Sequence, residues 1–143
     1  MIIRQLSVFI ENRQGRLAEV MDTLSENNID ISALSLADTA DYGVLRLIVS
    51  DPEKGREALT ASGVVVRITD MVAAVLEDVP GGAASVIRLL AENDIAVEYM
   101  YACIGRVNGK ALMVLRVEDI EKTEKILSEN GLTALRPEDV YRI

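Results

Sequence analysis

The chain has no histidine and no tryptophan, and its 143 residues include a single cysteine, Cys103. Without imidazole, general acid–base chemistry loses its commonest side chain near neutral pH, and metal sites lose a principal nitrogen ligand. One thiol can neither close an internal disulfide nor build a cysteine-rich zinc site, and no histidine is present to activate it. Cys103 reads instead as a small buried apolar residue. Neither a phosphate-binding G-x-x-x-x-G-K-[ST] loop nor a G-x-G-x-x-G fingerprint occurs. No apolar run approaches the roughly 20 residues of a membrane-spanning helix. The first residues, MIIRQLSVFIEN, do not have the layout of a cleavable signal. Basic residues are in deficit: 15 Lys and Arg against 23 Asp and Glu give a net charge of −8. That balance argues against nucleic acid and against an anionic membrane surface as partners. Together the absences imply a cytoplasmic protein that is not an enzyme and carries neither cofactor nor metal.

What is present is a substantial core and a repeat. Half of the residues are hydrophobic, which excludes a disordered chain. Sliding the sequence by 66 places LSVFIENRQGRLAEVMDTLSENNIDISAL on VAAVLEDVPGGAASVIRLLAENDIAVEYM, with Glu11/Glu77, Gly15/Gly81, Leu24/Leu90, Asn27/Asn93 and Ile29/Ile95 coinciding. After a two-residue insertion the offset becomes 68, and Leu47/Leu115, Asp51/Asp119, Lys54/Lys122, Leu59/Leu127 and Gly63/Gly131 coincide. Two copies therefore fill the chain, 1–69 and 70–143, with the seam at Thr69–Asp70.

Each copy reads as strand, helix, strand, strand, helix, strand. Leu6, Val8 and Ile10 alternate with Gln5, Ser7 and Glu11, the period of a strand, with Phe9 as the exception. Leu17, Val20, Met21 and Leu24 then recur at helical spacing, with Glu19, Asp22 and Glu26 on the other side. Asn27-Asn28 ends this helix. Strands follow over 29–36 and 44–49, joined by a hairpin loop. Ser50 or Asp51 caps a second helix that opens on Pro52, where no N–H is needed. Gly63 supplies the left-handed residue after it, and 64–68 is the last strand. The second copy repeats the order, with its insertion assigned to the hairpin Gly105–Gly109. The Thr69–Asp70 junction either turns or runs one strand straight into the next, and 137–143 is either a helical turn or an edge strand. The fold class is α+β: two ferredoxin-like βαββαβ units with helices on one face of antiparallel sheets. Pairing the two sheets side by side removes one exposed edge from each. Phe9 and Ala73 or Val75 point away from the helices, so the open faces are expected to meet a second copy in a homodimer.

The segments Asn12-Arg13-Gln14-Gly15-Arg16-Leu17 and Asp78-Val79-Pro80-Gly81-Gly82-Ala83 each join the first strand of a copy to a helix entrance. Unpartnered first-turn N–H groups and the positive end of the helix dipole welcome a carboxylate there. Glycine permits a tight turn and close approach of a ligand. Asn or Asp followed by Gly is equally ordinary grammar for entering a helix.

These two stretches resemble the ACT domain, a regulatory module that typically binds amino acids. Its pattern is Asn or Asp, one or two residues, often Pro, then Gly and an aliphatic residue. Asn12, Gly15 and Leu17 match it, with Gln14 in place of Pro; Asp78, Pro80 and Gly81 match it, with Ala83 smaller than usual. The resemblance implies modules paired edge to edge through their second strands, with a free amino acid held by the loop of one and the second strand of the other. By position, Asp30 then faces the 78–83 loop, giving that site two acids, Asp78 and Asp30. The other site takes Asn12, Arg13 and Arg16 with Glu98, Tyr99 and Tyr101. Arg16 offers a forked contact to a carboxylate, and the tyrosines offer flat surface with a polar tip. The implied role is a non-catalytic amino-acid sensor in the control of amino-acid metabolism. The alternative is a regulatory subunit that docks on a metabolic enzyme without a ligand of its own.

Overall fold

A computed structural model describes residues 1–38, 41–133 and 137–141. The chain divides into two compact units, one of Arg4–Thr69 and one of Asp70–Tyr141 together with Met1–Ile3. In order the elements are β1 (Ile2–Glu11), α1 (Arg16–Glu26), β2 (Ile31–Asp38), β3 (Tyr42–Val49), α2 (Pro52–Ala61) and β4 (Val65–Leu76). Then come α3 (Gly82–Glu92), β5 (Val97–Val107), β6 (Lys110–Val117), α4 (Ile120–Glu129) and α5 (Pro137–Tyr141). The first unit runs βαββαβ and the second repeats the order through α4, with antiparallel sheets.

In the first unit β3 lies between β1 and β2, with Leu6↔Leu47 and Val8↔Leu45 on one side and Leu34↔Leu47 and Leu36↔Leu45 on the other. Side chains alternate across a strand, so Leu6, Val8, Leu45 and Leu47 share a face. Val20 and Leu24 of α1 and Leu59 of α2 close over it, with Leu17 and Met21 at the margin. In the second unit β6 is central, with Val72↔Leu115 and Ala74↔Met113 to β4 and Met100↔Leu115 to β5. Val86 and Leu90 of α3 and Leu127 of α4 cover the matching face.

The opposite faces are closed as well. Gln5, Ser32, Ala33, Ile48, Ala73 and Val114 have no exposed surface, and Ser7 has 6%. Gln5 Nε2 donates to Ser7 Oγ at 3.0 Å, and Ser7 Oγ lies 3.2 Å from Thr69 Oγ1, so buried polar atoms on this face are tied to one another. Ala73, expected on an open face, has no exposed surface. Phe9 retains 38% exposure, with the Arg67 guanidinium 5.8 Å from its ring centre.

Of the two alternatives at the seam, residues 69 and 70 lie inside one continuous twelve-residue strand, β4. Two differences have simple causes. The two-residue insertion is taken up not in a hairpin loop but in β5, where the register shifts between Ala102 and Arg106. The hairpin itself is a tight turn on Asn108 and Gly109, both at positive φ (51° and 78°), the geometry that matches strand twist. After α4 the expected closing strand is short among the described residues: Thr133 bridges Ala74, and Val75 N–H donates to the Leu132 carbonyl at 2.8 Å. Residues 134–136 and 142–143 lie outside the described set, and 137–141 are the helical turn of the two alternatives.

Capping follows the repeat. Asp51 accepts from Lys54 N–H at 3.1 Å and Asp119 from Lys122 N–H at 3.0 Å. Ser50 has another task, accepting from Asp30 N–H at 3.0 Å. Asn27, Asn93 and Asn130 each donate their side-chain amide to a carbonyl four residues earlier, at 2.8 Å. Asp51→Ala and Asp119→Ala are each expected to lower stability by about 1 kcal/mol. Urea unfolding should show this as a lower midpoint with an unchanged slope.

Candidate functional site

The two units carry two kinds of helix entrance. Helices α2 and α4 start on aspartates that satisfy a first-turn N–H. Helices α1 and α3 start on Gly15 and Gly81, at φ 86° and 87°, with no side-chain cap. That backbone region costs an L-residue about 1–2 kcal/mol, and glycine enters it freely. A β-carbon placed on Gly15 or Gly81 would meet nothing within 4 Å, so the main chain at both turns borders open space. Gly82 is different. A β-carbon there would stand 1.9 Å from the carbonyl oxygen of Glu77, so this glycine serves the close passage of backbone against backbone. The equivalent residue in the first unit is Arg16.

In the first unit a cavity of about 210 Å³ is lined by Ile10, Glu11, Asn12, Arg13, Leu17, Leu36, Asp38 and Gly43. Asn12 anchors it: its N–H donates to the Asp41 carbonyl at 3.1 Å, and Nδ2 donates to both carboxylate oxygens of Asp38, at 3.1 and 3.2 Å. Arg16 Nη1 donates to Glu19 at 2.8 Å, and Arg13 lies 3.4 Å from Glu11 and 3.5 Å from Glu19. The Arg16 hydrogen bond is the main reason the Glu19 carboxyl sits below its ordinary pKa. Gln14 is exposed beside Gly15.

In the second unit a cavity of about 290 Å³ is lined by residues of the turn, among them Val79, Pro80, Gly81 and Gly82, with Leu76, Val86 and Leu132. Asp78 is ion-paired with Arg106 of β5, and Glu77 with Lys110 at 2.9 Å. Ala83 is exposed and does not line the cavity.

The second-strand residues lie elsewhere within their own units. Asp30 lines a separate cavity of about 500 Å³ with Met21, Asn28 and Ser50. Glu98 lines one of about 850 Å³ with Asp94, Glu118, Asp119 and Lys122, and is 3.6 Å from Arg116. Tyr99 and Tyr101 are half-buried and pair in register with Arg116 and Val114. Two residues at the turns were not foreseen, Asp38 and Arg106. The repeat held the signal. At the second offset Asp38 aligns with Arg106, and Asp38↔Gly43 is the same ladder step as Arg106↔Ala111.

Over residues 1–143 the sequence matches the family described as an ACT domain pair. The chain belongs to that family. A solved structure of protein BT0572 from Bacteroides thetaiotaomicron is 40% identical, with a TM-score of 0.91, covering 100% of this chain and 98% of that one. The regulatory subunits of aspartate kinase from Thermus thermophilus, in its ligand-free form, and from Thermus flavus share the fold. Their identities are 14% and 15% and their TM-scores 0.63 and 0.60. They align over 88% and 91% of this chain and 91% and 92% of their own. No curated protein matches. Among the described residues of this ACT pair no group of His, Cys, Asp and Glu is arranged to hold a metal ion, and no helix is long and apolar enough to cross a membrane.

Cys103 is half-buried in β5, and burial pushes its thiol up to about 11. The folded state therefore favours the neutral thiol. Its contribution to stability is complete below the unfolded value near 9 and is lost as pH rises towards 11. At pH 9 a thiol reagent should modify the native chain at least tenfold more slowly than the urea-unfolded chain. The glycines separate by stability: Gly82→Ala is expected to cost about 3 kcal/mol and Gly81→Ala about 1, read from denaturant midpoints.

Proposed function

We propose that this ACT domain pair is a non-catalytic sensor that binds a free amino acid and uses it to regulate amino-acid metabolism. The observation that carries the reading is the contrast between helix entrances. Two are closed by aspartate, while the two that follow the first strand of each unit are left uncapped beside a glycine bordering open space. A carboxylate suits such an entrance, because the first-turn N–H groups lack intrahelical partners and the local potential is positive. Small cavities with apolar walls adjoin both turns and accept an aliphatic portion. Membership of the family supports the same conclusion, as does a fold shared with the regulatory subunits of aspartate kinase. The contribution of Asp30 to the ligand at 78–83, and of Glu98, Tyr99 and Tyr101 to that at 12–17, belongs to this proposal, as do a homodimer and a cytoplasmic setting.

A signal requires that the ligand favour one state of the protein over another, since equal affinity shifts nothing. A second reading is favoured by the exposed Leu34, Leu36 and Tyr42, at 42%, 49% and 60%. In it the chain is a regulatory subunit that docks on an enzyme whether or not amino acid is present.

Thermal unfolding in the presence of each of the twenty amino acids at millimolar concentration tests the first reading. One amino acid, or a few of like chemistry, should raise the melting temperature by mass action. Gly15→Val should abolish that rise while the variant alone still unfolds cooperatively. A flat response across all twenty would overturn the sensor.

A further inference from the structure

The two turns are braced by one contact whose charge is reversed between the units. In the first, the neutral amide of Asn12 holds the carboxylate of Asp38. In the second, the carboxylate of Asp78 is held by the guanidinium of Arg106. The members occupy equivalent positions: the residue that opens the turn, and the residue of the second strand paired with Gly43 or Ala111. The electrostatic outcome differs. Among the described residues no ion pair is formed by Asp38, whereas Asp78 is paired with Arg106.

Resting on the amino-acid reading above, we infer that the turn at 12–17 is the occupied site, with Asp38 the acceptor of the ligand's ammonium group. Arg106 takes the ammonium's place at the turn at 78–83 and keeps it empty. The cavities fit this division. That of the first unit brings the Asp38 carboxylate and the Arg13 guanidinium into one lining, with Ile10, Leu17 and Leu36 as its apolar part. A zwitterion finds an acceptor for its positive end in Asp38, and its carboxylate competes with Glu11 and Glu19 for the Arg13 guanidinium, which lies 3.4 and 3.5 Å from them. That of the second unit includes neither Asp78 nor Arg106, and its one charged lining residue among those described, Glu77, is already paired with Lys110. An incoming ammonium would have to displace a guanidinium tethered to the same chain, which competes with it as an intramolecular partner. Of the two acids expected at the 78–83 site, Asp78 is then held by Arg106.

Isothermal titration calorimetry of the full chain with each of the twenty L-amino acids tests the inference. One ligand per chain is expected. Asp38→Asn, which keeps the shape, should weaken binding at least tenfold with the melting temperature of the unliganded protein preserved. N-acetylation of the same amino acid should weaken binding to the wild type at least tenfold, and should not add to the effect of Asp38→Asn. Arg106→Gln should leave the first site's affinity unchanged and add a second, weaker event. Two equal sites in the wild type, unaltered affinity in Asp38→Asn, or no second event in Arg106→Gln would each overturn the assignment while leaving the sensor intact. No binding by any of the twenty would overturn both.

Discussion

A strand that passes straight into a helix must reverse the backbone within a few residues and still leave the helix's first N–H groups satisfied. In this chain those demands are met differently at different entrances. Helices α2 and α4 start on an aspartate that turns the chain in the extended region or close to it and also caps it. Helices α1 and α3 start on a left-handed glycine that turns the chain and caps nothing. The reversal is then stabilised from outside the turn, by the link from Asn12 to Asp38 and from Asp78 to Arg106. That link ties the turn to the end of the second strand, and through it to the central strand of the sheet. A side-chain cap would occupy the donors; with a brace from the flank the first donor of each, Arg16 N–H and Gly82 N–H, turns back to the Arg13 and Val79 carbonyls, and no side chain covers those that follow. The rest of the reading depends on this separation of bracing from capping.

The brace also shows how a duplicated fold can diverge without losing its frame. Both units need a polar contact between the same two positions, and either polarity of donor and acceptor satisfies that need. An amide facing a carboxylate leaves one negative charge over. A carboxylate facing a guanidinium leaves none. Exposed pairs of this kind contribute little to stability, so exchanging one for the other hardly disturbs folding. Its effect falls on what the neighbouring cavity attracts. The backbone glycines divide in a comparable way: Gly81 opens the main chain to its surroundings, while Gly82 lets two stretches of backbone pass where no β-carbon fits.

Much of this was legible in the sequence. The copies, the order of their elements and the apolar stripe of α1 follow from periodicity, and Val20 and Leu24 are buried at 1%. The caps followed from residue type, with Asp51 resolved over Ser50. What escaped had one of two causes. Strand continuity through Thr69–Asp70 and the bulge in β5 are choices between nearly equal local conformations, which hydrogen bonding to neighbours decides. The burial of Gln5, Ser7 and Ser32 is likewise set by what covers a face, and alternation alone reads them as solvent-facing. The second cause is sequence distance. Asp38 lies 26 residues from Asn12, and an exposed acid near a hairpin resembles any solvated charge. Only the two copies set side by side, with Asn12 changed to Asp78 as Asp38 changes to Arg106, mark the pair as coupled.

The overall charge makes that local detail matter more. A chain with net charge −8 repels anions at long range, within the limits of salt screening, so phosphates and simple acids approach against its field. A zwitterion has no net charge for the field to act on. Its capture is decided within a few ångströms, by whether one acceptor and one donor stand at the spacing of its two ends beside an apolar wall. With no histidine in the chain, no imidazole titrates near neutral pH to adjust that balance. Selectivity of such a site then rests on fixed charges, and the two units carry different charges at the same two positions, Asn12 and Asp38 in one and Asp78 and Arg106 in the other.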